Sequence, residues 1–147
     1  MFAQFGKDRF ENAEDRDIAA SLPALISAVE SVKPLLGAVV ADMGAGTGLF
    51  CRAFGEKVGP TGVVYGVDIS PAFVELMSRE LEFVKAVLCD DKKCNLEVDA
   101  GVDVAFICDV YHHLTYPKTY MRSVLKSMKE GGKVRRHTHV RTKGRTI

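Results

Sequence analysis

The sequence predicts an α/β fold, a parallel sheet flanked by helices, and three observations carry that reading. Short apolar runs alternate along the chain with stretches whose apolar residues recur every three to four positions. A glycine-rich turn follows the first apolar run directly, the usual junction between a strand and the helix after it. A fourth run, residues 102–108, is apolar almost throughout, as expected of a strand covered on both faces.

The elements follow in order. Residues 18–32 carry Ile18, Leu22, Leu25, Ile26 and Val29 at helical spacing, and Pro34 and Gly37 end that helix. Val39-Val40-Ala41 is a short buried strand leading into the glycine-rich loop. Residues 48–58 read as a helix, and Gly59-Pro60-Thr61-Gly62 as a turn. Residues 63–67 form a second strand that ends at Asp68. Ser70 is placed to cap the next helix, with Pro71 at its first position and Phe73, Val74, Met77 and Leu81 on one face. A third strand spans 84–89, followed by the polar stretch 90–99. After the strand at 102–108, a helix over 117–128 turns Tyr120, Val124, Leu125 and Met128 inward. Glu130-Gly131-Gly132-Lys133 then forms the closing turn.

A length of 147 residues fits one domain. With 47% hydrophobic and 27% charged residues the composition is that of a water-soluble globular protein. The apolar runs are strand-sized, too short to cross a bilayer. Residues 1–16 are rich in charge and do not read as a secretory signal, so a cytoplasmic location is expected. Four cysteines, at 51, 89, 94 and 108, show no C-x-x-C spacing and read as free thiols rather than zinc ligands. His137 and His139 bring no third ligand near them in sequence, so no metal site is expected.

Net charge is +1, but it is unevenly spread. The last 14 residues hold five basic side chains and no acid, leaving a net of −4 on the preceding 133. The chain divides accordingly into a domain over 1–133, with an N-terminal helical segment over 1–35, and a basic tail over 134–147. The tail has no aromatic residue to stack on bases, so nucleic acid is not the expected partner. Where a fifth strand belongs, Val134-Arg135-Arg136-His137-Thr138-His139-Val140-Arg141 offers little to bury. Two outcomes are expected: a weak fifth strand over 134–140, or an exposed edge at the fourth strand that pairs with a second copy in a homodimer.

The chemistry concentrates at strand ends. In Asp42-Met43-Gly44-Ala45-Gly46-Thr47-Gly48 the glycines let the backbone approach a ligand and point free N–H groups at it. A dinucleotide fingerprint, G-x-G-x-x-G, needs glycine at position 49, which is Leu49. An acid at Asp42, two residues before the first glycine, suits a cationic ligand group better than a pyrophosphate.

This segment resembles the first signature of class I S-adenosylmethionine-dependent methyltransferases. The resemblance covers residues 36–133 in four ordered signatures. It implies a Rossmann-like sheet of order 3-2-1-4(-5), here without the family's C-terminal antiparallel hairpin, so that the chain reads as C-terminally truncated. It places Asp42 near the amino group of S-adenosylmethionine, with Gly44, Ala45, Gly46 and Gly48 beside its methionine and ribose. Tyr65-Gly66-Val67-Asp68-Ile69-Ser70 matches the second signature, with Asp68 taking the ribose hydroxyls and Ile69 next to it. Asp90, with Asp91 as the alternative, stands where the family often has an acid beside the adenine. Cys108-Asp109-Val110-Tyr111-His112-His113 resembles the end of the fourth strand in small-molecule methyltransferases. That likeness sets Asp109 at the cofactor and His112 or His113 as a candidate general base. A plainer role is open for the pair: one ring against the cofactor, the other bonded to backbone.

Two functions follow as expectations. One is methyl transfer from S-adenosylmethionine to a small-molecule acceptor, with S-adenosylhomocysteine as product. The other is a catalytically inactive binding or interaction module that keeps the cofactor site. Phe2, Phe5 and Phe10 would make the N-terminal segment either a lid or an anchor.

Overall fold

The computed structural model describes residues 13–138. The three N-terminal phenylalanines and His139 lie outside these residues, as does the tail from 139 onward.

Five parallel strands form one sheet in the order β3-β2-β1-β4-β5. The elements are α1 (Ala13–Glu30), β1 (Val39–Met43), α2 (Leu49–Val58), β2 (Val63–Asp68), α3 (Pro71–Glu80), β3 (Val84–Leu88), β4 (Val102–Cys108), α4 (Pro117–Ser127) and β5 (Met128–His137). A 3-10 turn, Tyr111–His113, joins β4 to α4. The expected sheet order is therefore observed.

Alternation along the strands makes two cores. On one face Val40, Val64, Val104 and Phe106 pack with Leu25, Ile26 and Val29 of α1, Phe50 and Phe54 of α2, and Met77 of α3. Phe106 lies 4.9 Å from the Phe50 ring and 5.2 Å from that of Phe54, tilted and edge-on. On the other face Met43, Val67, Ala105 and Ile107 pack against Tyr120 and Val124 of α4. Cys51, Cys89 and Cys94 are buried free thiols, and Cys108 is half-buried.

The sheet's N-terminal end is tied by Asp103. Its carboxylate accepts the Val39 N–H at 2.9 Å and pairs with Lys129 at 3.2 Å and Lys33 at 3.6 Å. Burial pushes the Asp103 carboxyl up, but the Val39 N–H and the two ammonium groups outweigh it, and it titrates below the usual range.

The C-terminal part departs from expectation. Helix α4 stops at Ser127, and Leu125, expected inward, is 58% exposed. Met128 opens β5, so the stretch 130–133 expected as a turn belongs to that strand. The pairing of Met128 with Val102 and of Lys133 with Val104 leaves a register shift between them, and Gly131 there has φ 75°. Beyond it Val134, Arg135, Arg136 and His137 pair with Ala105 to Cys108. Residues with little to bury still form a strand because β4 offers a full row of backbone partners. Strand β4 is thus covered, and among the described residues β5 is the edge strand on that side of the sheet. Lys129, Lys133, Arg135 and Arg136 are exposed on β5, and such like charges oppose edge-to-edge stacking of two copies.

Candidate functional site

The site lies at the C-terminal ends of β1, β2 and β4, where the order reverses on either side of β1 and a crevice opens. Two cavities meet there, and both are lined by Gly44 and Val110. The smaller, about 80 Å³, is lined by Asp42, Ala45, Thr47, Cys108 and Asp109, with Ile18 of α1 at its side. The larger, about 300 Å³, is lined by Asp68, Ile69, Asp90, Asp91 and His113, with Tyr120 and Cys89.

Gly44 has φ 74°, and a Cβ built on it would lie 2.3 Å from Val110 Cγ2. The Val110 side chain therefore rests on the bare Cα of Gly44 and walls one cavity from the other. Asp109, just before it, has φ 54°, an uncommon conformation for a residue other than glycine. Its N–H donates to the His137 carbonyl at 3.0 Å, which links the β4 turn to β5. The Arg136 guanidinium lies 4.7 Å from the Tyr111 ring and makes a second link.

Asp42 is 2% exposed, yet the one side-chain donor to its carboxylate among the described residues is the Cys51 thiol, at 3.5 Å. Burial pushes the Asp42 carboxyl up to about 7; the Cys51 S–H pulls it down and the nearby Asp68 charge pushes it up. Burial and the charges of Asp109 and Asp42 likewise push the Cys108 thiol up to about 12, so it stays protonated. A buried carboxylate that faces a cavity, with no cation beside it among the described side chains, is an acceptor for a cationic group.

Asp68 does more than present a carboxylate. Its two oxygens accept the Gly46 and Ser70 N–H groups, each at 2.9 Å, so it clasps the glycine-rich loop to the end of β2. Each oxygen keeps further acceptor capacity. Asp90 Oδ1 accepts the N–H groups of Lys92 and Lys93 at 2.8 and 2.7 Å, which lower its pKa, and the carboxylate is exposed at the cavity's edge.

Of the residues picked out in the sequence, Asp42, Gly44, Ala45, Asp68, Ile69, Asp90, Asp91 and Asp109 line one cavity or the other. Gly46 and Gly48 line neither. Gly46 donates to Asp68, while a Cβ at Gly48 would meet Leu81 Cδ1 at 2.5 Å, so its bareness serves packing. His113 lines the larger cavity and His112 neither, although the two rings are 3.9 Å apart. Sequence reasoning missed Val110, Tyr120 and Cys51. Val110 sits inside a quoted signature, but its packing on Gly44 is a tertiary contact. Among the described residues no group of three metal-ligating side chains comes together, and no helix is long and apolar enough to cross a membrane.

A family model described as "Methyltransferase domain" matches residues 41–134. This chain belongs to the class I S-adenosylmethionine-dependent methyltransferase family. The methyltransferase domain is 30% identical over 115 residues to the ubiquinone/menaquinone biosynthesis C-methyltransferase UbiE of Burkholderia mallei. That match takes in 76% of this chain and 46% of the relative, so the chain spans about half the length of the curated relatives it matches. Among solved structures, an S-adenosylmethionine-dependent methyltransferase from Aquifex aeolicus superposes with a TM-score of 0.72 at 22% identity, covering 82% of this chain and 68% of that one. Coclaurine N-methyltransferase bound to N-methylheliamine and S-adenosylhomocysteine gives 0.63 at 20% identity, over 78% and 34%. These structural likenesses bear on the fold.

Proposed function

We propose that this methyltransferase domain binds S-adenosylmethionine across the two cavities and transfers its methyl group to a small-molecule acceptor. The observation that carries the reading is Asp42, a buried carboxylate in the wall of the smaller cavity with no cation beside it among the described side chains. The acceptor groups fit the cofactor. Asp42 and Asp109 suit its ammonium, the spare lone pairs of Asp68 suit two ribose hydroxyls, and Ile69 and Asp90 or Asp91 suit the face and amino edge of adenine.

When bound, S-adenosylmethionine supplies a methyl group on a sulfonium, which is open to in-line displacement. The chain's own part is to hold and to exclude. The Asp68 clasp fixes the loop that carries Gly44 to Gly48, and Val110 and Ile18 supply apolar wall to the smaller cavity. His113, on the larger cavity's wall, is the better placed of the two histidines to take a proton from an acceptor.

Calorimetric titration of S-adenosylhomocysteine into the full chain tests the binding, with one site per chain expected and no binding contradicting it. Transfer of labelled methyl to a panel of small-molecule acceptors then tests turnover. Binding without transfer to any acceptor would favour the inactive module.

A further inference from the structure

The spacing of the glycine-rich loop does not call for a thiol at position 51. Cys51 nevertheless stands in the first turn of α2, fully buried, with its Sγ 3.5 Å from Asp42 Oδ2. Its place is made by the neighbouring strand. Gly66 of β2 is the register partner of Asp42, and a Cβ there would lie 3.2 Å from the Cys51 sulfur and 2.6 Å from that of Met77. The sulfur thus occupies room that a glycine leaves free, directly beside the carboxylate.

We propose that Cys51 is a positioning residue, whose S–H holds the Asp42 carboxylate in one orientation at the cavity wall, ready for the cofactor's ammonium. The proposal rests on the reading of this cavity as the S-adenosylmethionine site. A carboxylate has about four acceptor positions. The thiol fills one on Oδ2 and leaves the others to a ligand. It is a durable donor, since burial and the adjacent Asp42 charge keep Cys51 protonated well past its ordinary range. Among the described residues the other titratable groups near this pair are Asp68 at the end of β2, Cys108 and Asp109 at the end of β4, and Arg52, which follows Cys51 in α2 and is exposed. Asp68, Cys108 and Asp109 supply no positive charge and Arg52 makes no ion pair with Asp42, which leaves the Cys51 S–H as its favourable partner among the described residues.

The test uses the full chain with Cys51→Val, which keeps the volume without a donor, and Cys51→Ser, which keeps a donor. The first readout is the titration of Asp42 in ligand-free protein, followed by NMR of its carboxyl carbon. The second is the affinity for S-adenosylhomocysteine at pH 8. Cys51→Val is expected to move the Asp42 midpoint upward and to weaken binding by roughly three- to tenfold, the scale of one modest hydrogen bond to a charge. Cys51→Ser is expected to restore the midpoint toward wild type. Wild-type protein that binds while Cys51→Val titrates and binds like it overturns the role of Cys51 alone. Wild-type protein that does not bind overturns the cofactor reading, and with it the purpose assigned to the thiol.

Discussion

Asp42 titrates near 7 because it is buried, so ligand binding and protonation compete for it. A cationic ammonium docks against the ionised form, and below pH 7 a proton must leave first. If the bound carboxylate titrates well below 6, the ionised fraction of the free protein sets the affinity: about one tenth at pH 6 and about nine tenths at pH 8. S-adenosylhomocysteine should therefore bind about tenfold more weakly at pH 6 than at pH 8, roughly 1.4 kcal/mol. Calorimetry in two buffers of different ionisation enthalpy should also detect release of about 0.9 proton per site at pH 6 and about 0.1 at pH 8. Stability carries the opposite sign. The folded value lies above the ordinary 3.8, so the penalty of charging Asp42 grows as pH rises from about 4 and is complete above about 7. A shift of about three units corresponds to roughly 4 kcal/mol. Asp42→Asn should thus stabilise the ligand-free protein at pH 8 by up to about 4 kcal/mol while weakening and flattening its pH-dependent binding. Equal affinity at pH 6 and 8 with no proton release, or an Asn variant less stable at pH 8, would refute this reasoning.

Gly44→Ala puts a side chain at φ 74° and against Val110, a backbone penalty of about 1–2 kcal/mol plus a steric one; a lower melting temperature and weaker S-adenosylhomocysteine binding are expected together. Asp103→Asn removes the charge that serves Val39, Lys129 and Lys33, and denaturant titration should show a loss of about 1–3 kcal/mol at pH 7. Because the Asp103 carboxyl titrates below its ordinary value, that difference should be full above about pH 4 and shrink as pH falls through the lower folded value. Phe106→Ala opens the ring cluster with Phe50 and Phe54 and should cost about 3–5 kcal/mol in the same assay. His113→Ala should weaken S-adenosylhomocysteine binding more than His112→Ala does, because His113 alone of the pair lines a cavity; equal effects would contradict that placement.

The first four strands were legible because each is a short apolar run bounded by Gly, Pro or Asp, and periodicity reports burial directly, whereas their order in the sheet was implied by the resemblance of the four signatures. Of the strand-end acids, Asp42 was legible from its spacing before the glycines, while Asp68, Asp90, Asp91 and Asp109 were legible through the resemblance of their signatures. Strand β5 was harder to read. Its residues 133–137 carry three cations, and what makes them a strand is the backbone row of β4, which no periodicity in β5 records. Leu125 misled in the same way. Its spacing puts it on the apolar side of α4, but the helix meets the sheet through Tyr120, Val124 and Ser127, leaving it exposed. In the site, the Asp68 clasp, Val110 on Gly44 and the Cys51 thiol are contacts between segments 9 to 66 residues apart in sequence. Spacing identifies such residues singly and is silent about which of them touch.

The central claim is that one ligand, S-adenosylmethionine or its product, lies across the ends of β1, β2 and β4. The most direct measurement is a backbone amide NMR titration of the full chain with S-adenosylhomocysteine, with NAD as the control ligand. Saturable shifts at Gly44, Ala45, Asp68, Ile69 and Asp90, absent with NAD, are the predicted result. Shifts confined to other surfaces, or none at saturating ligand, would contradict the claim.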